Sequence, residues 1–170
     1  MHTHNAADAV AKRIADATAA CGVSLVASLP DGWITPLISR FAADDRFRHV
    51  AVNREESAIG LCSGAFLGGI GSLALMGASG FLTCIYAITK INYTYEIPVF
   101  YVITLRGAVG DPNRHHVSNG LYLRRVIDAI DMPCTIISKP EEIPLLSRAY
   151  RHSRNFYRSS LVALTRDLLR

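Results

Sequence analysis

Val52-Asn53-Arg54-Glu55-Glu56-Ser57-Ala58-Ile59-Gly60-Leu61-Cys62-Ser63-Gly64-Ala65-Phe66-Leu67-Gly68 is the stretch on which the reading of this chain turns. A short apolar strand, residues 49–52, gives way to two carboxylates and then to a helix of small residues. In an open α/β sheet the carboxyl end of a strand is where ligands bind. A carboxylate in the first helical turn is favoured in its ionised form by the helix dipole. Ala58, Gly60, Gly64, Ala65 and Gly68 leave room for another backbone or a flat ligand to approach closely.

Outward from that stretch, helical and extended patterns alternate along the whole chain. Helices are expected at 6–20, 34–41, 55–68, 80–92, 118–130 and 141–157, and strands at 23–29, 49–52, 72–76, 98–105, 134–138 and 161–165. The run Pro98-Val99-Phe100-Tyr101-Val102-Ile103-Thr104-Leu105 is apolar on both faces, as a strand covered on both sides must be. Six strands separated by helices predict an α/β fold with a doubly wound, mostly parallel six-stranded sheet. No linker or repeat divides residues 1–170, so one domain is expected.

Composition narrows the function classes. Half the residues are apolar, 19% are charged and the net charge is +4. The excess charge is mostly arginine, scattered among acids without a basic run, which argues against a nucleic-acid partner. Cys21, Cys62, Cys84 and Cys134 have no metal-ligand spacing and read as small hydrophobes in a reducing cytoplasm. The first residues lack the basic-then-apolar order of a signal peptide. Residues 57–89 carry no charge and include a Gly60, Gly64, Gly68 ladder, but repeated glycines interrupt the run. Buried helix, turn, strand and helix fit it better than a membrane span. Gly69-Ile70-Gly71-Ser72-Leu73-Ala74 matches a dinucleotide fingerprint only in letters, because it leads from helix into strand. Arg148, Arg151, Arg154 and Arg158 read as a solvated stripe on one helix.

Several short segments then occur in a particular order. Glu55, Ala58 and Gly64-Ala65-Phe66 are followed by Met76-Gly77-Ala78-Ser79-Gly80, Ile97-Pro98-Val99, Leu105-Arg106-Gly107 and Arg114-His115-His116-Val117-Ser118-Asn119-Gly120. In this order the chain resembles the alpha subunit, or N-terminal half, of sulfopyruvate and phosphonopyruvate decarboxylases, from about residue 8 to residue 168. That resemblance implies a pyrimidine-binding domain of a split thiamine diphosphate enzyme. Glu55 would hydrogen-bond N1′ of the aminopyrimidine and so activate the cofactor. Catalytic roles fall to Glu55 and His116, cofactor contacts to Glu55, Ser79, Gly80 and Pro30, and substrate contacts to Arg106, His115 and His116. Gly110-Asp111-Pro112 is not the Gly-Asp-Gly that begins a diphosphate–magnesium site. Mg²⁺ is therefore expected mainly on a separate beta subunit carrying the diphosphate-binding domain, in a hetero-oligomer of α2β2 or larger, with no metal ligands here. The implied reaction is decarboxylation of a small 2-oxo acid, with carboligation as a variant outcome. Ala78 replaces the family's Asn, Leu82-Thr83 replace Gly-Asn, and His115 replaces Gln, which favours a more apolar 2-oxo acid. Two other readings remain: a non-catalytic assembly or regulatory subunit that kept the fold, and a flavodoxin-like nucleotide-binding module.

Overall fold

The computed structural model describes residues 2–169, with side chains from residue 6 onward. In chain order the elements are α1 (His2–Ala19), β1 (Val23–Ser28), α2 (Thr35–Ala42), β2 (Arg48–Ala51), α3 (Glu55–Leu67) and β3 (Gly71–Met76). Next come α4 (Ala78–Thr83), α5 (Ile85–Ala87), a π turn (Ile88–Tyr93), β4 (Phe100–Thr104) and a 3₁₀ turn (Arg114–His116). The chain finishes with α6 (Val117–Ala129), β5 (Cys134–Ile137), a second 3₁₀ turn (Pro140–Glu142), α7 (Pro144–Phe156) and β6 (Ser160–Leu164). The six strands form one parallel sheet in the order β2-β1-β3-β4-β6-β5.

Alternation along the strands builds the two layers. Val26, Leu73, Leu75, Phe100, Val102, Val162 and Leu164 point to one face, where they meet α1, α2 and α7. Leu25, Ala27, Ala74, Met76, Tyr101, Ile103, Leu161 and Ala163 point to the other, against α3, α4, the π turn and α6. A period of two with both phases apolar is what a sheet covered on both faces requires. Burial pushes the Cys62 thiol up to about 11 and Cys84 up to about 12, so both behave as inert core groups.

Two expected helices are differently built. The helix expected over 80–92 is broken into α4, α5 and the π turn. The wide turn carries Asn92 into the core, where its amide donates to Ser63 Oγ at 2.9 Å and its Oδ1 accepts from Tyr101 OH at 2.7 Å. The helix expected over 141–157 begins at Pro144, because the Glu142 carboxylate accepts from the amides of Ser138 and Lys139 and closes a separate turn first. It ends where Tyr157 turns left-handed, at φ 52°, so Arg158 lies beyond it. No helix among the described residues is long and apolar enough to cross a membrane.

Candidate active site

Between β1 and β3 the direction of strand winding reverses, and the carboxyl ends of such strands open a crevice. Four segments meet along that edge: Pro30-Asp31 after β1, Glu55 after β2, Gly77 to Gly80 after β3 and Arg106 after β4.

Glu55 is the first residue of α3, following an extended Arg54, and is half-buried. Its carboxyl lies over the α-carbon of Gly80, in the space that any side chain at position 80 would fill. Among the described residues Glu55 takes part in no ion pair, whereas Glu56 pairs with the exposed Arg54 at 3.4 Å. The two neighbouring carboxylates are therefore in different situations. One is tied to a surface arginine, and the other is free at the sheet edge.

A second cluster is built on Arg106. Its Nη2 donates to Asp31 Oδ1 at 2.6 Å and its Nε to Thr104 Oγ1 at 3.3 Å, while Nη1 meets His116 Nε2. The Arg106 and Asp31 side chains are only 12% and 13% exposed, so the pair is screened little by solvent. The guanidinium lies 4.5 Å over the Trp33 ring, whose centroid is 5.6 Å from that of the His116 ring, with the two rings perpendicular. Guanidinium nitrogens only donate, so His116 Nε2 accepts, and the ring is the neutral tautomer with its proton on Nδ1. That proton goes to Asp111 Oδ2 at 2.8 Å. Burial raises the Asp111 carboxyl, but the amides of Gly107 and Asn113 and the His116 ring outweigh it and hold it at about 2. Asp111 thus fixes the loop and the imidazole together.

The turn that carries this cluster depends on glycine. Gly107 has φ 77° and packs directly on Gly120, and a side chain on either would run into the backbone of the other. That contact places α6 so that His116 is buried.

The sequence-derived candidates fall at different places in this arrangement. Arg106 and His116 touch each other. Arg106 is not paired with Asp111, its neighbour in the loop; the long-range partner Asp31 holds it instead. Glu55 and Gly80 form the other contact. Ser79 shares hydrogen bonds of 3.1 and 3.3 Å with Asn119 of α6, and the amide of Ala78 donates to Thr104. Pro30 is exposed beside Asp31, and His115 is exposed, with only its amide held by Asn113. Asp31, Trp33 and Asp111 are not among the candidates the sequence offers: the first two look like ordinary turn residues, and Asp111 stands in Gly110-Asp111-Pro112, which is not a metal motif. The arginine stripe needs correction too, since Arg154 is stacked between Phe66 and Tyr150 rather than solvated.

No family model matches the sequence. Individual relatives do. Sulfopyruvate decarboxylase subunit alpha of Methanococcus maripaludis is 31% identical over 138 residues, 81% of this chain and 80% of that protein. The chain belongs to the sulfopyruvate decarboxylase alpha-subunit family. A second member, from Methanocaldococcus jannaschii, is 29% identical over 147 residues, 86% of each chain. Phosphonopyruvate decarboxylase of Streptomyces viridochromogenes is 32% identical over 118 residues, which are 68% of this chain but only 30% of that longer protein. The two alpha subunits thus match 81% and 86% of this chain, while the longer relative matches it over a fraction of its own length.

Proposed function

We propose that this chain is the alpha subunit of a thiamine diphosphate-dependent 2-oxo acid decarboxylase, completed by a beta subunit. The observation that carries the reading is Glu55: a half-buried, unpaired carboxylate over a side-chain-free gap at Gly80. A ring nitrogen of a flat aminopyrimidine fits such a group, because it supplies the missing hydrogen-bond partner to a carboxylate already held in a first helical turn. When bound, thiamine diphosphate would supply a carbon nucleophile for a 2-oxo carbon and, in its positively charged ring, an acceptor for the electron pair released with CO₂.

The chain's own residues divide the remaining work. Glu55 holds the ring nitrogen and stabilises positive charge on it. Arg106 has five N–H donors, of which three are engaged, leaving two for a substrate carboxylate. Trp33 lies against the guanidinium and keeps water from it. His116 presents its Nε2 lone pair on the same side as Arg106, so a shift of that arginine towards a substrate frees a base held in one tautomer by Asp111. Whether the product leaves as an aldehyde or joins a second carbonyl depends on the pocket the partner closes.

Several observations support a partner. The names of two relatives specify an alpha subunit, and the longer phosphonopyruvate enzyme contains the matched region as a fraction of one chain. On α3 the α-carbons of Gly60 and Gly64 face open space, and Leu67 is 73% exposed. Close apposition of a second subunit, in an α2β2 or larger assembly with Mg²⁺ held mainly by the beta chain, would cover that surface. Reconstitution tests the proposal: CO₂ release from a 2-oxo acid should require both chains, thiamine diphosphate and Mg²⁺. An assembled complex that forms without any cofactor-dependent turnover would leave the non-catalytic subunit reading in its place.

A further inference from the structure

At the opposite, amino edge of the sheet the molecule has a second polar pocket, unrelated to Glu55. Gly22 precedes β1, and Gly69 and Ile70 lead into Gly71, the first residue of β3; together with Phe66, Tyr150 and Arg154 they line a cavity of about 310 Å³. Gly22 and Gly69 have φ of 78° and 74°, left-handed turns that glycine adopts without strain, and neither presents a side chain to the cavity. The Arg154 guanidinium is clamped between the Phe66 ring at 5.1 Å and the Tyr150 ring at 5.0 Å.

Its hydrogen bonding is incomplete in a specific way. Nε and Nη2, the two donors of the side-on fork, are both buried, and neither has an acceptor. Arg40 and Arg166 each leave one buried donor, Nε, without an acceptor, but Arg40 pairs with Asp44 and Arg166 reaches the Gly110 carbonyl through other nitrogens; only Arg154, of the described arginines, leaves two. Among the described residues Arg154 has no ion pair. A guanidinium cannot shed its charge, and leaving a buried charged donor unmet costs more than leaving a neutral one. Native proteins meet such donors with an acceptor, and here the chain itself offers none.

We propose that the Arg154 pocket is a binding site for a small oxyanion, a carboxylate or phosphate group, that comes from outside the chain. Two coplanar oxygens match the Nε–Nη2 fork, and the flanking rings exclude water, which strengthens the ion pair. Both fork donors are buried in the free chain, so the ligand reaches them as side chains lining the cavity shift. The site does not depend on the decarboxylase reading. It sits at the last turn of α3, the helix whose first turn carries Glu55.

The test uses the full chain labelled with ¹⁵N-arginine, titrated separately with inorganic phosphate and with malonate, and with sodium chloride at matched ionic strength. The Arg154 Nε–H resonance should shift saturably with one or both oxyanions, with a Kd of about 1 mM or tighter. Response to malonate alone identifies a carboxylate ligand, and response to phosphate alone identifies a phosphate. Arg154→Lys, which keeps the charge and loses the fork, should weaken binding about tenfold or more, whereas Glu55→Gln should leave it unchanged. If neither oxyanion shifts the resonance, if chloride reproduces the shift, or if Arg154→Lys binds as the parent does, the proposal is overturned. The wild-type titration decides even where a variant fails to fold.

Discussion

At the scale of single residues, two adjacent carboxylates, Glu55 and Glu56, separate into different roles. The peptide step between them turns the side chain by about 100° around the helix, enough to send Glu55 over Gly80 and Glu56 to Arg54. In the reconstituted complex, Glu55→Gln should nearly abolish turnover while leaving assembly intact, and Glu56→Gln should be mild because its exposed ion pair contributes little. Steady-state kinetics on both variants decide the register, and the reverse ranking would show it to be wrong. Asp111 offers a second residue-level test, through pH. Its folded-state carboxyl is depressed to about 2 from an ordinary 3.8. A depressed carboxylate stabilises the fold above its unfolded pKa, and that contribution fades as pH falls through the folded value. The native chain should lose Asp111's contribution between about pH 4 and pH 2. Asp111→Asn should be less stable at neutral pH and show a shallower loss over that interval in acid titration of the unfolding midpoint. Equal acid limbs in the two proteins would mean that the carboxylate is not held as described.

The elements show where local pattern and tertiary need part company. Residues 80–92 have the composition of one helix, yet a straight helix would not deliver Asn92 to Ser63 and Tyr101. A π turn adds the extra residue that rotates Asn92 inward, and such turns inside helices often mark positions with a specific task. Here the task is to tie three elements together: α3, the π turn and β4. Tyr101→Phe keeps the ring and removes the donor to Asn92 Oδ1, leaving a fully buried acceptor unmet. Urea unfolding should show a loss of about 1–3 kcal/mol. A change within experimental error would mean that the network does not hold these elements in place.

For the whole molecule, the central expectation is incompleteness. On the proposed reading Glu55 would meet the aminopyrimidine, while the sequence contains no Gly-Asp-Gly segment for a diphosphate and its Mg²⁺. Calorimetry on the purified chain with thiamine diphosphate and Mg²⁺ should detect weak binding at most and no turnover, with both restored by the beta subunit. Tight stoichiometric binding by the chain alone would overturn the half-site reading. Substrate choice belongs to this scale too. Ala78 is fully buried with its amide given to Thr104, and Leu82 packs against the core, so neither offers a side-chain donor to a second anionic group. A site lacking donors discriminates against substrates that need them. In a panel compared by kcat/KM, the complex should prefer a 2-oxo acid with an apolar or aromatic side chain over sulfopyruvate. A clear lead for sulfopyruvate would show that Ala78 and Leu82 are neutral changes.

The sequence by itself determined the sheet and most of its strands, because the signals are local: alternation in phase, apolar on both faces, with glycine and proline between the runs. It also marked the Glu55-Glu56 pair, since carboxylates after a strand and before a helix are a local pattern, and the family resemblance picked Glu55 from the two. What only the tertiary structure decided was partnership. Arg106 lies five residues from Asp111 but pairs with Asp31, 75 residues away, because parallel strands bring the loops after β1 and β4 to the same edge. Trp33 and Arg154 look like surface residues in the sequence; the first becomes a ring stacked on Arg106 and the second a cation with two buried, unmet donors only when distant segments close around them. Spacing along a chain fixes which face a side chain takes. It does not fix which loop arrives beside it, and the chemistry of this site depends on that meeting of loops.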